Sequence, residues 1–153
     1  MMDIAEILSV DQIVPRLPVA DRWAAIDSLI DLLVRTGKLR PEHREVVRKA
    51  VRDRETKKST GIGYSIALPH ASVDCIPNVV AAFGRLEPGV EFQALDSQPV
   101  TICLLFLTPQ GQFEKHLLAL STFARLLSNP QRRQSLQKAQ SADEILAILR
   151  SQL

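Results

Sequence analysis

Apolar residues near the start of the chain recur with the spacing of one helix face. Asp21 precedes this pattern and can accept a hydrogen bond from a backbone N–H of the first turn. Gly37 follows it and suits the C-terminal end of a helix. The pattern therefore predicts a helix from Asp21 to about Thr36, with these apolar positions facing a core: Trp23, Ile26, Leu29, Ile30 and Leu33.

The segments on either side of this helix have weaker patterns. Residues 3–9 are apolar on one side and predict a short helix, whereas residues 10–20 contain two prolines and predict a connection. Pro41 suits the first turn of a second long helix, which is expected to end near Arg54 and Glu55. One face of that helix is apolar, and the other carries three arginines spaced four apart: Arg44, Arg48 and Arg52.

Short apolar segments in the middle of the chain are typical of strands. Pro88 and Gly89 predict a turn between two of them. In the last segment both sets of alternating positions are apolar, so both faces of the strand are apolar. This pattern indicates burial between two layers. The predicted strands span residues 64–68, 78–84, 90–92 and 100–107.

The last third of the chain predicts helices. A long one begins at Phe113, ends at Asn129 and is followed by another that starts with Pro130, while Ser141 and Glu144 form a capping box for the last. Helices come first, then strands, then helices, and one strand needs a layer on each side. This order predicts an α/β fold, with a mixed central sheet of about five strands and helices on both faces.

Size and charge restrict the function. A length of 153 residues and a hydrophobic content of 46% suit one globular domain over residues 1–153. The net charge of +2 is too small to indicate nucleic-acid binding. The start lacks the pattern of a signal peptide and no segment has the length of a membrane span. We therefore expect a cytoplasmic protein without membrane insertion, whose two cysteines are reduced.

The most distinctive stretch surrounds His70. Gly61 and Gly63 favour a tight turn before a short strand, and Pro69 should end that strand because it has no backbone N–H. His70 is then expected on a loop at the strand end. A histidine titrates near neutral pH and offers a nucleophilic nitrogen when neutral, although many histidines in turns only bond to their neighbours.

The combination of residues 60–63 (Thr-Gly-Ile-Gly) and 66–71 (Ile-Ala-Leu-Pro-His-Ala) resembles the active-site signature of the fructose/mannitol-type EIIA domains of the bacterial phosphotransferase system. This group includes the stand-alone nitrogen-regulatory EIIA proteins. The resemblance covers nearly the whole chain and implies the same mixed α/β fold. It departs from the family at Ser65, where many members carry glycine.

The resemblance implies roles for His70, His116 and Arg54. His70 matches the histidine that accepts a phosphoryl group from the phosphocarrier HPr. His116, followed by Leu117 at the start of a helix, matches the second histidine beside it. Arg54 is expected to bind phosphate oxygens. From its residue type alone, Thr60 can either offer a hydroxyl or backbone N–H to the phosphate or simply shape the turn. No metal and no cofactor are implied.

The implied function is that of a phosphocarrier with a phosphohistidine intermediate. The phosphoryl group would pass from an HPr-like protein to His70, and then to an EIIB domain or into a regulatory switch of the nitrogen or potassium type. A non-transporting regulatory module that acts by protein contacts on the same fold is the alternative. A homodimer is compatible with either.

Other chemistries are less consistent with the residues. A zinc site from His70, Cys75 and His116 has suitable ligand types but no metal-binding spacing. Cys75 lacks the local motif of a nucleophile. The Gly61–Gly63 region has neither the Gly-Lys-Ser/Thr ending of a P-loop nor the third glycine of a dinucleotide fingerprint.

Overall fold

A mixed sheet of six strands lies between two helical layers in the computed structural model, which describes residues 2–151. Five strands pair side by side across the sheet, and the sixth strand pairs with the third strand of that order. The elements are α1 (Ile4–Ile7), β1 (Ile13–Leu17), α2 (Arg22–Arg35), α3 (Arg44–Lys57), β2 (Gly61–Gly63), β3 (Ile66–Ala67), β4 (His70–Val73), β5 (Val80–Val90), β6 (Val100–Pro109), α4 (Phe113–Ser128), α5 (Pro130–Lys138) and α6 (Ala142–Arg150).

The strand order is β1-β5-β6-β3-β2, with β4 paired to β6 beyond the point where β3 ends. Both β3 and β4 run parallel to β6, whereas β5 runs antiparallel to it. The predicted mixed α/β fold is therefore confirmed, with six strands where about five were expected.

The central strand β6 is buried on both faces, as its sequence predicts. Leu105 and Leu107 belong to a cluster with the apolar faces of α2 and α3. Leu104 and Phe106 belong to a second cluster with α4, α5 and α6, where Phe106 lies against Phe123 at 5.1 Å between ring centroids. The alternation of side chains along a strand places successive residues on opposite faces, so β6 forms part of both cores.

The helix ends largely follow their sequence signals. The Asp21 carboxylate accepts a hydrogen bond from the Ala24 N–H at 2.8 Å, and Gly37 has a φ of +76° just beyond α2. The capping box of α6 is only half formed. The Ser141 hydroxyl accepts from the Glu144 N–H at 3.1 Å, but the Glu144 carboxylate does not accept from the N–H of Ser141.

The predicted connection over residues 10–20 is wrong, because it contains a short 3-10 turn and strand β1. Strand β1 lies at the edge of the sheet and pairs in parallel with β5. An edge strand tolerates Pro15, because only one of its sides needs backbone donors. The first helix is also shorter than predicted and spans Ile4–Ile7.

The predicted turn at Pro88 and Gly89 is also wrong. Both residues lie within β5, which runs without a break from Val80 to Val90. The register against β6 shifts between Arg85 and Val90. Proline and glycine therefore mark an irregular part of one strand and not a boundary between two.

The second long helix begins later and ends later than predicted. Pro41–His43 form a 3-10 turn, and α3 then runs past Arg54 to Lys57. The three arginines on its polar face do not form a free basic surface, because each is paired with a carboxylate. Asp31 pairs with Arg44, and Asp27 pairs with Arg48 and Arg52.

The segment predicted as a strand over residues 64–68 is a strand only at Ile66–Ala67 (β3), which form one arm of a hairpin. Tyr64 and Ser65 form its turn with φ of +57° and +64°, and this turn joins β2 to β3. Two residues with positive φ are typical of tight hairpin turns. Because Ser65 adopts this left-handed conformation, its position is one that glycine would occupy with less strain.

Candidate functional site

Pro69 had suggested that His70 lies on a loop, but His70 is the first residue of β4. It pairs in register with Phe106 of β6, and the two rings stack at 4.9 Å between centroids with 14° between their planes. The residue is 6% exposed. Sheet register and stacking therefore hold the imidazole in one orientation.

The Leu68 carbonyl, at the break between β3 and β4, determines which ring nitrogen of His70 is protonated. Pro69 has no N–H, and its carbonyl accepts from the Phe106 N–H at 3.0 Å. The Leu68 carbonyl lies 2.7 Å from His70 Nδ1. Since a carbonyl can only accept, Nδ1 must carry the proton and Nε2 is left with a free electron pair.

The surroundings of His70 keep it neutral. Burial lowers its pKa to about 4, and the positive charge of Arg54 and the proximity of His116 add to this effect. The hydrogen bond to Leu68 acts in the opposite direction but is outweighed. At neutral pH the ring therefore offers Nε2 as a nucleophile.

His116 lies in the first turn of α4, with its ring centroid 5.3 Å from that of His70. Its Nδ1 lies 2.9 Å from the Thr108 hydroxyl and 3.2 Å from the Ser72 hydroxyl, and these two hydroxyls are 3.0 Å apart. Burial, and then the charge of Arg54, lower the pKa of His116. The second histidine is thus oriented by two neutral hydroxyl groups.

Arg54 lies in the last turn of α3, and its Nη1 donates to the Lys58 carbonyl at 2.7 Å. It forms no ion pair with any carboxylate in residues 2–151. Arg54 and His70 together line two cavities of about 210 and 270 Å³, the second of which also reaches His116. The guanidinium charge is therefore available to an anion beside His70.

Thr60 lines the first of these cavities, but its donors point elsewhere. Its N–H donates to the Glu55 carboxylate at 2.9 Å, and its hydroxyl donates to the same carboxylate. Glu55 is 1% exposed and forms an ion pair with Arg22 at 3.6 Å. Thr60 therefore ties the end of α3 to the start of β2, and its direct contact with phosphate stays a prediction.

Sequence reasoning named the two histidines and Arg54, which the structure places around one cavity and whose roles stay predictions, but it missed the groups that hold them. Ser72 and Thr108 become neighbours only through the β4–β6 register. Ser72 lies two residues after His70, which is the same-face spacing of a strand. Glu55 continues the four-residue spacing of Val47 and Val51, so its place on the buried face of α3 had a sequence signal.

The alternative chemistries find no support. Within residues 2–151, no three His, Cys, Asp or Glu side chains lie close enough together to hold a metal ion. Burial raises the pKa of the half-buried Cys75 thiol, which disfavours the reactive thiolate. None of the helices between residues 2 and 151 combines the length and apolar character that crossing a bilayer requires.

The comparison with known proteins agrees with the geometry. Residues 6–152 match the family described as "Phosphoenolpyruvate-dependent sugar phosphotransferase system, EIIA 2". The chain is thus a component of the phosphotransferase system. Within that system it belongs to the EIIA 2 family, which confirms the resemblance noted in the sequence.

The chain is similar to proteins with two kinds of name, fructose-specific EIIA proteins and nitrogen regulatory proteins. The chain is 34% identical over 148 residues to the fructose-specific EIIABC component of Bacillus subtilis, covering 97% of the chain and 23% of that protein. It is 32% identical over 147 residues to the fructose-specific EIIA component of Haloferax volcanii, covering 96% and 94%. The crystal structure of nitrogen regulatory protein IIA-Ntr from Neisseria meningitidis superimposes with a TM-score of 0.86 at 32% identity, covering 95% and 98%.

Proposed function

We propose that residues 1–153 form a single EIIA domain that carries a phosphoryl group on Nε2 of His70. The observation that carries this proposal is the 2.7 Å contact between His70 Nδ1 and the Leu68 carbonyl. That contact leaves Nε2 unprotonated, and the low pKa keeps the whole ring neutral near pH 7. A nucleophile in this state needs no separate base.

The transfer step exchanges one P–N bond for another. Nε2 of His70 attacks the phosphorus of a phosphohistidine on an HPr-like donor, and the new P–N bond forms as the old one breaks. The electron pair of the broken bond returns to the donor imidazole. The Nδ1 proton of His70 stays on its hydrogen bond to Leu68, so no proton has to leave the site.

Neighbouring groups stabilise the charge on the transferring phosphoryl group, which is the main requirement of this chemistry. Arg54 supplies an uncompensated guanidinium. We infer that the Thr108 hydroxyl, 2.9 Å from His116 Nδ1, acts as the donor in this contact. The proton of a neutral His116 is then on Nε2, which can donate it to the phosphoryl oxygens. Thr60 positions the loop through Glu55.

The partners are an HPr-like donor and either an EIIB domain or a regulatory target protein. The names of the relatives support this, since they include both fructose-specific EIIA components and nitrogen regulatory proteins. Large apolar side chains are also exposed around the site. Leu95 (79% exposed) lines a cavity with His70, and Phe113 (71%) and Leu117 (48%) flank His116 on α4.

The test is phosphorylation by phosphoenolpyruvate, enzyme I and HPr, followed by intact-mass measurement. The expected result is one acid-labile phosphoryl group on the parent and on His43→Ala, and none on His70→Ala. The His43→Ala variant controls for loss of a histidine elsewhere. If His70→Ala is labelled, or the parent is not while a control EIIA in the same tube is, the proposal is wrong.

A regulatory module without onward transfer is the second candidate, favoured by the likeness to the nitrogen regulatory protein of Neisseria meningitidis. A phosphoryl group adds about −1.5 to −2 charges by analogy with other phosphorylated side chains. Such a change beside Leu95 and Phe113 would alter protein docking. Incubating the phosphorylated protein with a fructose-type EIIB domain separates the candidates, because only a phosphocarrier for transport loses its label to EIIB.

A further inference from the structure

Arg85 carries a charge in the interior of the protein, away from His70. It lies on β5 and is 8% exposed. Its Nε donates to the Pro15 carbonyl at 2.9 Å and its Nη1 donates to the Gln137 carbonyl at 2.7 Å. No carboxylate in residues 2–151 forms an ion pair with it. Its hydrogen-bond partners are therefore neutral, and its charge is not cancelled.

A cleft of about 340 Å³ opens beside this guanidinium, between the irregular part of β5, strand β6 and the end of α5. Arg16 and Glu87 pair with each other at 3.0 Å on its rim and are both well exposed. Because the charges of Arg16 and Glu87 cancel, the net positive charge of the cleft is that of Arg85. The polar groups that line the cleft come from Arg16, Arg85, Glu87, Thr101, Gln137 and Gln140.

The electrostatics of this cleft favour an anion. A buried charge is costly unless it is paired, and carbonyl groups satisfy its hydrogen bonds without neutralising it. Nε and Nη1 of Arg85 already donate to the Pro15 and Gln137 carbonyls, whereas a guanidinium N–H that is not engaged can donate to an oxygen of a carboxylate or phosphate. Nη2 of Arg85 makes no hydrogen bond to another described residue, so this donor remains for a ligand.

We propose that this cleft, hereafter the Arg85 cleft, binds a small oxyanion that carries a carboxylate or phosphate group. The volume is at the lower end of the range of small-molecule sites, about 300–1,000 Å³. The Thr101 hydroxyl is bonded to the Gln137 side chain and Gln140 Nε2 donates to the Lys138 carbonyl, so Arg85 is the main donor to the ligand. The Arg85 cleft is distinct from the His70 site. Phe106 stacks on His70 and pairs with Ala81 of β5. Arg85 lies four residues beyond Ala81 on β5, which is about 13 Å from Ala81 at the rise of a strand.

The test is a nuclear magnetic resonance titration of the ¹⁵N-labelled protein at constant ionic strength. Succinate and inorganic phosphate are added in separate series. The expected result is a saturable shift of the Arg85 Nε–H signal and of the Gly89 and Thr101 amides by at least one of them. Saturation by only one of the two anions identifies the carboxylate or the phosphate class.

Variants at the edge of the Arg85 cleft keep the test independent of folding. Arg85→Gln removes a residue that joins β1 to α5, so we use Gln140→Glu, which places a negative charge in the cleft. It should weaken binding at least tenfold, while Gln140→Ala changes it only a few-fold. Arg54→Gln should bind as tightly as the parent, which separates this site from His70.

Three results would overturn the proposal. One is a set of linear, non-saturating shifts for both anions. Another is equal affinity in Gln140→Glu and Gln140→Ala. A saturable response confined to the amides around His70 would likewise exclude the Arg85 cleft as the binding site, and it would leave the proposed phosphoryl chemistry intact.

Discussion

The interface between α2 and α3 and the His70 site use the same kinds of side chain in opposite ways. In the interface, cations are neutralised by carboxylates, as where Asp27 contacts Arg48 at 3.1 Å and Arg52 at 2.7 Å. In the site, the partners are neutral oxygens. The Lys58 carbonyl holds Arg54 and the Leu68 carbonyl holds His70.

The difference shows how one helix can serve structure and chemistry. A carboxylate beside Arg52 stabilises the fold but cancels the charge. A carbonyl beside Arg54, two residues further on, positions the guanidinium and leaves its charge for a ligand. The presence of an arginine therefore says less about function than the charge of the group that holds it.

The largest difference between the site and the interface is expected when Arg54 and Arg52 are replaced by glutamine, one at a time. Arg54→Gln should slow phosphoryl transfer on the order of 10²–10³-fold, by analogy with the loss of one charge-stabilising donor. Arg52→Gln on the same helix should leave the rate within about twofold, because Arg52 is committed to Asp27. Rapid-quench measurement of label transfer from phosphorylated HPr checks both, and equal losses would contradict the distinction.

Titration of His70 gives the next largest effect. Because burial lowers its pKa to about 4, its ring nitrogen signals should stay in the Nδ1–H form through neutral pH and change with a midpoint near that value. The unfolded chain binds a proton at the ordinary pKa of 6.5. The free energy of unfolding should therefore fall as the pH is lowered from 6.5 towards 4. A midpoint near 6.5 in the ¹⁵N spectrum of the folded protein would contradict the assignment.

A smaller effect is expected from removing the Thr108 hydroxyl, which contacts His116. Thr108→Val removes the hydroxyl that contacts both His116 and Ser72. The lost hydrogen bond to His116, worth about 1 kcal/mol, should slow transfer by roughly fivefold. Thr101→Val, on the same strand but away from the site, is the matched control and should transfer at the parent rate. The ¹⁵N signals of His116 should shift only in Thr108→Val, and unchanged signals there would refute its orienting role.

The smallest effect belongs to the interface. Asp27→Asn should lower the free energy of unfolding by about 1 kcal/mol and leave phosphoryl transfer unchanged, because a partly exposed carboxylate is lost from two pairs. Asp53→Asn removes only the exposed pair with Lys49 and should cost less, about 0.3–0.5 kcal/mol. Urea denaturation measures both. A slower transfer rate in Asp27→Asn would show that interface and site are not separable.

The sequence predicted the parts of the fold whose signals are local. The α2 helix follows from its cap and its apolar spacing, and the central position of β6 follows from its two apolar faces. Strand β1 was missed because Pro15 is tolerated only at an edge, and edge position depends on topology. Strand β5 was divided in two because Pro88 and Gly89 usually mark turns, whereas here they lie at a shift of register.

The candidate site shows the same limit. His70, His116 and Arg54 were named from the sequence because a short motif and its family likeness mark them. The structure brings them together, and their roles stay predictions. The groups that hold them were not found, since Thr108 and Ser72 meet only through the parallel register of β4 and β6. For Thr60 the sequence left open a phosphate contact or a turn-shaping role. Both of its donors bond to the buried Glu55, and the phosphate contact stays a prediction.

The Leu68 carbonyl has a consequence for the evolution of the site. The group that selects the reactive nitrogen of His70 belongs to the main chain, so no single amino-acid replacement can delete it. Arg54, in contrast, is lost by one replacement. Lineages that abandon phosphoryl transfer should therefore lose the arginine or the histidine readily, while the backbone that selected the nitrogen persists as a trace of the earlier chemistry.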